Sequence, residues 1–304
     1  MNRKLLFIFI ALCLLLEGFQ FLNYRKPMKA KYSIVLRQLI SKASNQAKSL
    51  PQLINEIPEE NFNLETALIL MHGFQDTEYT FSDEYHGVRW KPSLHEKRRL
   101  NFRLDLNLNE ADTSIAFDYS YTQGDFNKHI IITETYGGGG LCRLCGVPLG
   151  GAVFTSSKWN SNWRLDNYQV AFARVGLSGR IAEGKIFNIG PEKKAIMFGH
   201  GATGQGYTHE YLTIVTDVND RVDVVFLEET GNDNWGAPLL GTGDNRVWRN
   251  SSEIKFVSGQ NPDYYDIIVE TSGTRYVRET DSVSGEFREV KRYLFKDEKY
   301  RLVE

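Results

Sequence analysis

EYLTIVTDVNDRVDVVFLE, residues 210–228, sets two aromatic and β-branched runs on either side of Asn219-Asp220. Val, Ile, Thr and Phe fit a pleated, half-buried surface. Asn and Asp accept the left-handed backbone that a tight turn needs. The stretch therefore predicts a strand over 210–216, a turn, and a strand over 221–228. The same rhythm recurs on both sides. Strands are expected near 114–121, 129–136, 151–156, 166–174, 185–189, 194–199, 253–257, 264–271, 275–280, 286–295 and 299–303. The breaks carry turn chemistry: Gly124, Gly137 to Gly140, Gly190-Pro191, Gly231-Asn232-Asp233, Gly243-Asp244-Asn245, Asn261-Pro262 and Ser284-Gly285. The last hairpin, with Tyr293, Phe295, Tyr300 and Leu302, is expected to close the sheet. No repeat of propeller-blade length emerges. The fold class expected is mainly β, an antiparallel sandwich or a propeller-like array of short strands.

Composition agrees with that reading. The 304 residues include 26 Gly but 8 Pro, with 15 Tyr and 18 Phe, as Gly turns between aromatic strands require. The net charge of -2 gives no electrostatic footprint for nucleic acid.

Upstream of the strands the pattern changes. Phe102, Leu104, Leu106 and Leu108 alternate with polar residues from Leu100 onward and predict one more half-buried strand. Leu64 to Met71 reads as a strand or a short helix. Residues 72–99, with His72, Asp76, Glu78, Asp83, Glu84, His86 and His95, read as a long, partly exposed connection with a short strand or two, its titratable groups too dispersed for a metal cluster. Ile34, Val35, Leu39, Ala43, Ala47 and Leu50 recur at helical spacing and predict an amphipathic helix that Pro51 stops.

At the N-terminus, Arg3 and Lys4 precede twelve apolar residues, Leu5 to Leu16, and then Glu17. That is the length of a signal-peptide core. Gly18, Phe19, Phe21 and Leu22 extend it to a marginal membrane span. The division expected is a signal peptide or signal anchor (1–24), a basic linker and amphipathic helix (25–62), and a single mainly-β domain (63–304) with an irregular lead-in (63–99). The expected location is periplasmic or extracellular, with anchoring to the inner membrane by residues 5–22 where the segment is retained. Arg25, Lys26, Lys29 and Lys31 argue for the reverse orientation, because flanking positive charge stays cytoplasmic.

Three groups of residues carry candidate chemistry. Cys142 and Cys145 follow four glycines. In an exported protein they read first as a loop-pinning disulfide, with redox exchange or half of a zinc site as alternatives. His200, His209 and Glu210 frame a Gly-rich segment that also holds Gln205 and Tyr207. They are the weak candidates for catalysis, against a reading as an ordinary hairpin loop. Trp159, Trp163, Trp235 and Trp248 lie in polar surroundings and offer a stacking platform for a sugar or peptide if their loops converge. The acidic turn at Asp217, Asn219, Asp220 and Asp223 reads as turn chemistry. GRIAEGKI (179–186) resembles a phosphate loop, but Ile186 stands where Ser or Thr is needed, and a strand is expected next.

No cofactor and no metal are expected. The functional expectation is an exported, envelope-associated β protein, a non-catalytic binding or structural module for an envelope protein or cell-wall component. The alternatives are a hydrolase or lyase acting on an envelope polymer through His200–Glu210, and a thiol–disulfide protein using Cys142/Cys145.

Overall fold

A computed structural model describes residues 56–73, 77–82, 85–100, 110–137, 146–175, 184–204, 207–234, 247–277 and 282–303. The apolar segment 5–22, the helix over 34–50, the alternating stretch 101–109, Cys142, Cys145, Gln205 and Trp235 lie outside these residues. The described residues belong to one unit, Asn55–Glu304.

The first sheet is built from β1 (Glu56–Ile57), β2 (Glu78–Ser82), β3 (Tyr85–Trp90), β4 (Ala111–Gln123), β5 (Phe126–Gly137), β6 (Val147–Ser157) and β7 (Asn160–Val175). All neighbours are antiparallel, in the order β1-β7-β6-β5-β4-β3-β2. A helix, α1 (Leu64–His72), starts at an Asn63–Thr66 capping box and ends at Gly73, which adopts φ 71°. A second, α2 (Leu94–Leu100), starts where Ser93 and Glu96 cap one another, Ser93 N–H to Glu96 Oε2 at 2.7 Å. Thus 64–71 resolves to helix, and the 72–99 connection contains two strands and a helix. Residues 56–57 already pair with β7.

Ile130, Ile131 and Ile132 are all fully buried, although a half-exposed strand would alternate. The first sheet is covered on both faces. Ile131 packs with Ala67, Leu68 and Met71 of α1 and with Phe154 and Trp90. Ile130 and Ile132 pack with Tyr119, Leu149 and Val153 against Ile196, Phe198, Val215 and Val222 of the second sheet. Gly151 lies directly against Val222 there. A methyl at its Cβ position would lie 2.6 Å from Val222 Cβ.

The strands of the second sheet are β8 (Gly184–Asn188), β9 (Lys194–Gly204), β10 (Tyr207–Val218), β11 (Arg221–Asp233), β12 (Arg249–Val257), β13 (Asp266–Gly273), β16 (Phe287–Lys296) and β17 (Lys299–Val303). They run in the order β17-β16-β13-β12-β11-β10-β9-β8. A separate ribbon joins β14 (Tyr276–Val277) to β15 (Ser282–Val283). A strand, not a helix, covers Gly184–Asn188, so the phosphate-loop resemblance has no structural basis.

The second sheet curls on itself. β12 pairs with β11 over only Gly231, Asn232 and Asp233. The last strands then fold back on β11. Phe226 meets Tyr293 at 5.0 Å, and Lys291 bonds Glu228 at 2.9 Å. Two hairpin turns meet as well. Asn219-Asp220 (φ 50°, 58°) and Asp297-Glu298 (φ 51°, 66°) are both left-handed at both central positions, as type I′ turns require. Glu298 accepts hydrogen bonds from Asn219 and Arg221. The fold is mainly β and antiparallel, two packed sheets of which one is a curled half-barrel. Strands β4 to β7 and β9 to β12 are longer than expected, whereas β8, β13, β16 and β17 keep the expected length. β7 has 16 residues, and three register irregularities against β6 let it bend without ending.

Candidate functional site

His200 and His209 lie within strands β9 and β10, not in a loop. Glu210 follows His209 on a strand, so it points to the opposite face of β10. The three residues proposed for catalysis do not converge. The carboxylate beside His209 is Glu229, with Nδ1 to Oε1 at 2.6 Å. Both side chains are substantially exposed, 48% and 38%.

Strand pairing builds the surroundings. Tyr211 stands opposite His200 on β9 and opposite Glu229 on β11, and Asn232 stands opposite His209. The rings of His200, Tyr211 and His209 stack in a row at 5.5 and 6.5 Å. His200 Nε2 is engaged with Thr213 Oγ1 at 2.9 Å, and burial lowers its pKa, so the ring is neutral at physiological pH.

Asn232 is the hub of the polar network. Its Nδ2 donates to Glu229 Oε1 at 3.3 Å. Its Oδ1 accepts from Trp248 Nε1 at 3.1 Å and from Asn250 Nδ2 at 2.9 Å. Trp248 N–H also donates to Asn234 Oδ1 at 2.8 Å. The indole is thereby fixed at its backbone and at its ring nitrogen. The ring of Tyr207 lies 5.9 Å from the indole and that of Tyr276 lies 5.4 Å from it. Tyr207 is 43% exposed and Tyr276 38%. Of the tryptophans expected to make a stacking platform, Trp248 meets Tyr207 of the Gly-rich segment instead of another tryptophan. Tyr276, Glu229, Asn232 and Asn250 join them and were not foreseen.

Trp159 and Trp163 belong to the other sheet. Trp159 occupies the β6–β7 turn and is 87% exposed. Trp163 stacks on Phe62 at 4.7 Å and helps cover the first sheet, so its polar sequence neighbours conceal a packing role.

Two other clusters combine groups that do chemistry elsewhere. Ser120 Oγ lies 2.5 Å from His129 Nδ1, and Asp118 Oδ2 lies 3.5 Å from His129 Nε2. Ser120 and His129 are opposite partners in the β4–β5 ladder, where backbone N–H groups are committed to strand pairing and leave none to receive an oxyanion. Phe62 and Trp163 pack on the imidazole at 5.1 and 6.1 Å. This cluster is structural.

The second is the Asp217 cluster, which an acidic turn did not suggest. Asp217 is fully buried between the sheets. Its Oδ2 accepts from Lys128 at 3.1 Å and from Lys193 at 3.2 Å, and its Oδ1 accepts from Tyr121. Lys128 also reaches Asp220 at 2.7 Å. Burial pushes the Asp217 pKa upward, but the two ammonium groups and the Tyr121 hydrogen bond outweigh it and hold the carboxyl below its usual range. Burial pushes both lysines down. Asp217 and Asp220 reverse this for Lys128, whose pKa is raised, whereas Lys193 stays lowered. The cluster joins β4 and β5 to β10 and serves as an electrostatic tie between the sheets.

A shallow trough of about 410 Å³ lies along β12 and β13, lined by Ser251, Ser252, Glu253, Glu270, Ser272 and Arg288. Its charges answer one another, Arg288 to Glu270 at 2.8 Å and Lys255 to Glu270 at 3.2 Å. Among the described residues no cluster of three or more His, Cys, Asp or Glu side chains is placed to hold a metal ion, and no helix is long and apolar enough to cross a membrane. No family model, no curated protein and no solved structure matches the chain.

Proposed function

We propose that this chain is an exported, envelope-associated protein whose β body is a non-catalytic binding module, with Tyr207, Trp248 and Tyr276 as its contact face. One observation carries the reading. Three aromatic side chains from separate segments converge at the surface, and a hydrogen-bond network holds the central one. Pre-organised aromatic groups contribute contact area at low entropic cost. The export half rests on the basic start and apolar run Leu5 to Leu16. The partner class is an envelope protein or a cell-wall component.

Two measurements test it. Protease added to intact spheroplasts should degrade the β body, whereas protection of the body in sealed cells would overturn export. Envelope material stripped of its membrane by detergent should capture the detergent-solubilised full-length chain, and Trp248→Ala should abolish that retention. Equal retention of both forms would overturn the assigned face.

The His209–Glu229 pair favours a second reading, hydrolase or lyase action on an envelope polymer with His209 as the base. Among the described residues, no Ser or Thr hydroxyl is hydrogen-bonded to His209, so in hydrolysis water would be the nucleophile, whereas a lyase would need only proton abstraction. Turnover of envelope polymer that disappears in His209→Ala would establish this reading over simple binding.

A further inference from the structure

We propose that the paired turns bearing Trp159 and Phe126 dock on the headgroup region of a zwitterionic lipid bilayer; this rests on the export reading above, with residues 5–22 retained as the anchor. Trp159 is 87% exposed, the most exposed large apolar side chain among the described residues, and Phe126 at the start of β5 is 51% exposed. Strand pairing makes them neighbours, because Phe126 stands opposite Ser157, two residues before Trp159. Their turns are bonded together, Lys158 N–H to the Asp125 carbonyl at 3.1 Å and Lys158 Nζ to Asp125 Oδ1 at 3.0 Å. Asn160 N–H donates to Ser157 Oγ at 3.0 Å and closes the Trp159 turn. Neither ring belongs to the apolar clusters of the core, so packing does not account for them.

Area, tether and charge select the occupant. A stable protein interface takes about 800 Å² from each partner. Two aromatic side chains offer about 150–250 Å² apiece. A bilayer sets no such threshold for a chain already tethered to it, because the tether supplies the effective concentration. Tryptophan settles at the headgroup level, where its ring is buried and its N–H stays wet. The segment that joins the apolar run to the β body enters beside the same hairpin. β1 pairs with β7 at Trp163 and Arg164, and Trp163 lies about 13 Å along the strand from Trp159.

The headgroup follows from the charges beside the turns. Lys158 is spent on Asp125, Lys128 on Asp217 and Asp220, and Lys193 on Asp217. Glu192, held by the Gly124 N–H at 3.1 Å, adds a negative charge. Among the described residues, the two turns carry no unpaired basic cluster of the kind that draws a protein to anionic lipid.

The test is reconstitution of the full-length chain into phosphatidylcholine vesicles, read by flotation and by tryptophan emission, with acyl chains brominated near the headgroup as quencher. The chain should float with the vesicles. Brominated lipid should quench wild type more than Trp159→Phe, which keeps an apolar ring and removes one reporter of five. Phe126→Ser keeps that reporter and should lose part of the quenching. Both altered side chains are exposed, so both variants retain the fold. Mixing in phosphatidylglycerol at low salt should not strengthen the quenching.

Equal quenching of wild type and Trp159→Phe in floating vesicles would overturn the docking and leave the anchor in place. A chain that stays at the bottom of the gradient would overturn the anchor, and the docking with it. Full quenching in Phe126→Ser would overturn the paired contact. Stronger quenching in phosphatidylglycerol vesicles would overturn the zwitterionic assignment.

Discussion

Asp217→Asn should destabilise the β body severely. Asp217 has no solvent exposure and faces two ammonium groups at 3.1 and 3.2 Å. At an effective dielectric of about 20, each contact is worth about 5 kcal/mol of gross attraction. Desolvating three charged groups offsets much of that, at several kcal/mol per ion. The substitution removes the attraction and leaves both lysines buried. Asparagine keeps the size, but its NH₂ must face an ammonium or the Tyr121 hydroxyl. Lys128 still has Asp220 at 2.7 Å, so Lys193, whose side chain is only 7% exposed, bears most of the loss. The expected cost is about 3–5 kcal/mol, the range for breaking a buried ion pair from one side. Equilibrium urea unfolding of the full-length chain in detergent, followed by near-ultraviolet circular dichroism, reads this. For a slope of about 3 kcal/mol/M the midpoint should fall by roughly 1–1.7 M. Replacing Asp217, Lys128 and Lys193 together by Leu, Met and Met should recover much of the loss, since an apolar core of similar volume competes well with a buried ion pair. A cost below about 1 kcal/mol for Asp217→Asn would refute the tie between the sheets.

Two further outcomes follow from other parts of the core. Gly151→Ala should cost about 1–3 kcal/mol, because the added methyl would sit 2.6–2.9 Å from Val222 Cβ and both of its Cγ atoms; adding Val222→Gly, which removes all three atoms, should return part of it, and additive losses in the double variant would sink the explanation. His72 is half-buried beside Trp90 and Tyr168, and the loss of solvent around its ring lowers its pKa to about 3. Below its ordinary pKa of 6.5 the unfolded chain takes up a proton that the folded chain refuses. Stability is therefore whole near neutrality and falls with pH by about 1.4 kcal/mol per pH unit from this group. His72→Phe should reduce the slope of stability against pH by one proton between pH 6 and 4, and an unchanged slope would contradict it.

The fold was largely legible because turn residues and apolar runs are local signals. Asn219-Asp220 and the runs around it predicted the β10–β11 hairpin, and both turn residues are left-handed. The site was legible only in part, because register is not local. From a two-residue turn, an uninterrupted ladder sets Thr230 opposite His209 and Glu228 opposite Tyr211. Two bulges, at Ile214/Val215 and Glu210/Tyr211, move Asn232 and Glu229 into those places instead. Nothing in residues 210–233 announces an inserted residue, so Glu210 stood in for Glu229. Tyr276 and Trp248 meet across 28 positions of sequence, beyond any periodicity. The Asp217 cluster was hidden for a different reason. Its lysines come from another sheet and from the approach to β9, and a carboxylate next to a turn is ordinarily solvated.

Strand order in both sheets follows chain order almost without exception. From β2 to β7, and again from β8 through β13 to β17, each strand lies beside the one that precedes it in its own sheet. A chain wired in this way can be completed hairpin by hairpin, since every new strand finds its partner already made and short loops close at little entropic cost. β1 departs from that rule. It pairs with β7, which is synthesised more than a hundred residues later, at Trp163 and Arg164. The segment that leads into the β body must therefore wait for the last strand of the first sheet. Until then the edge of that sheet stays available to other strands.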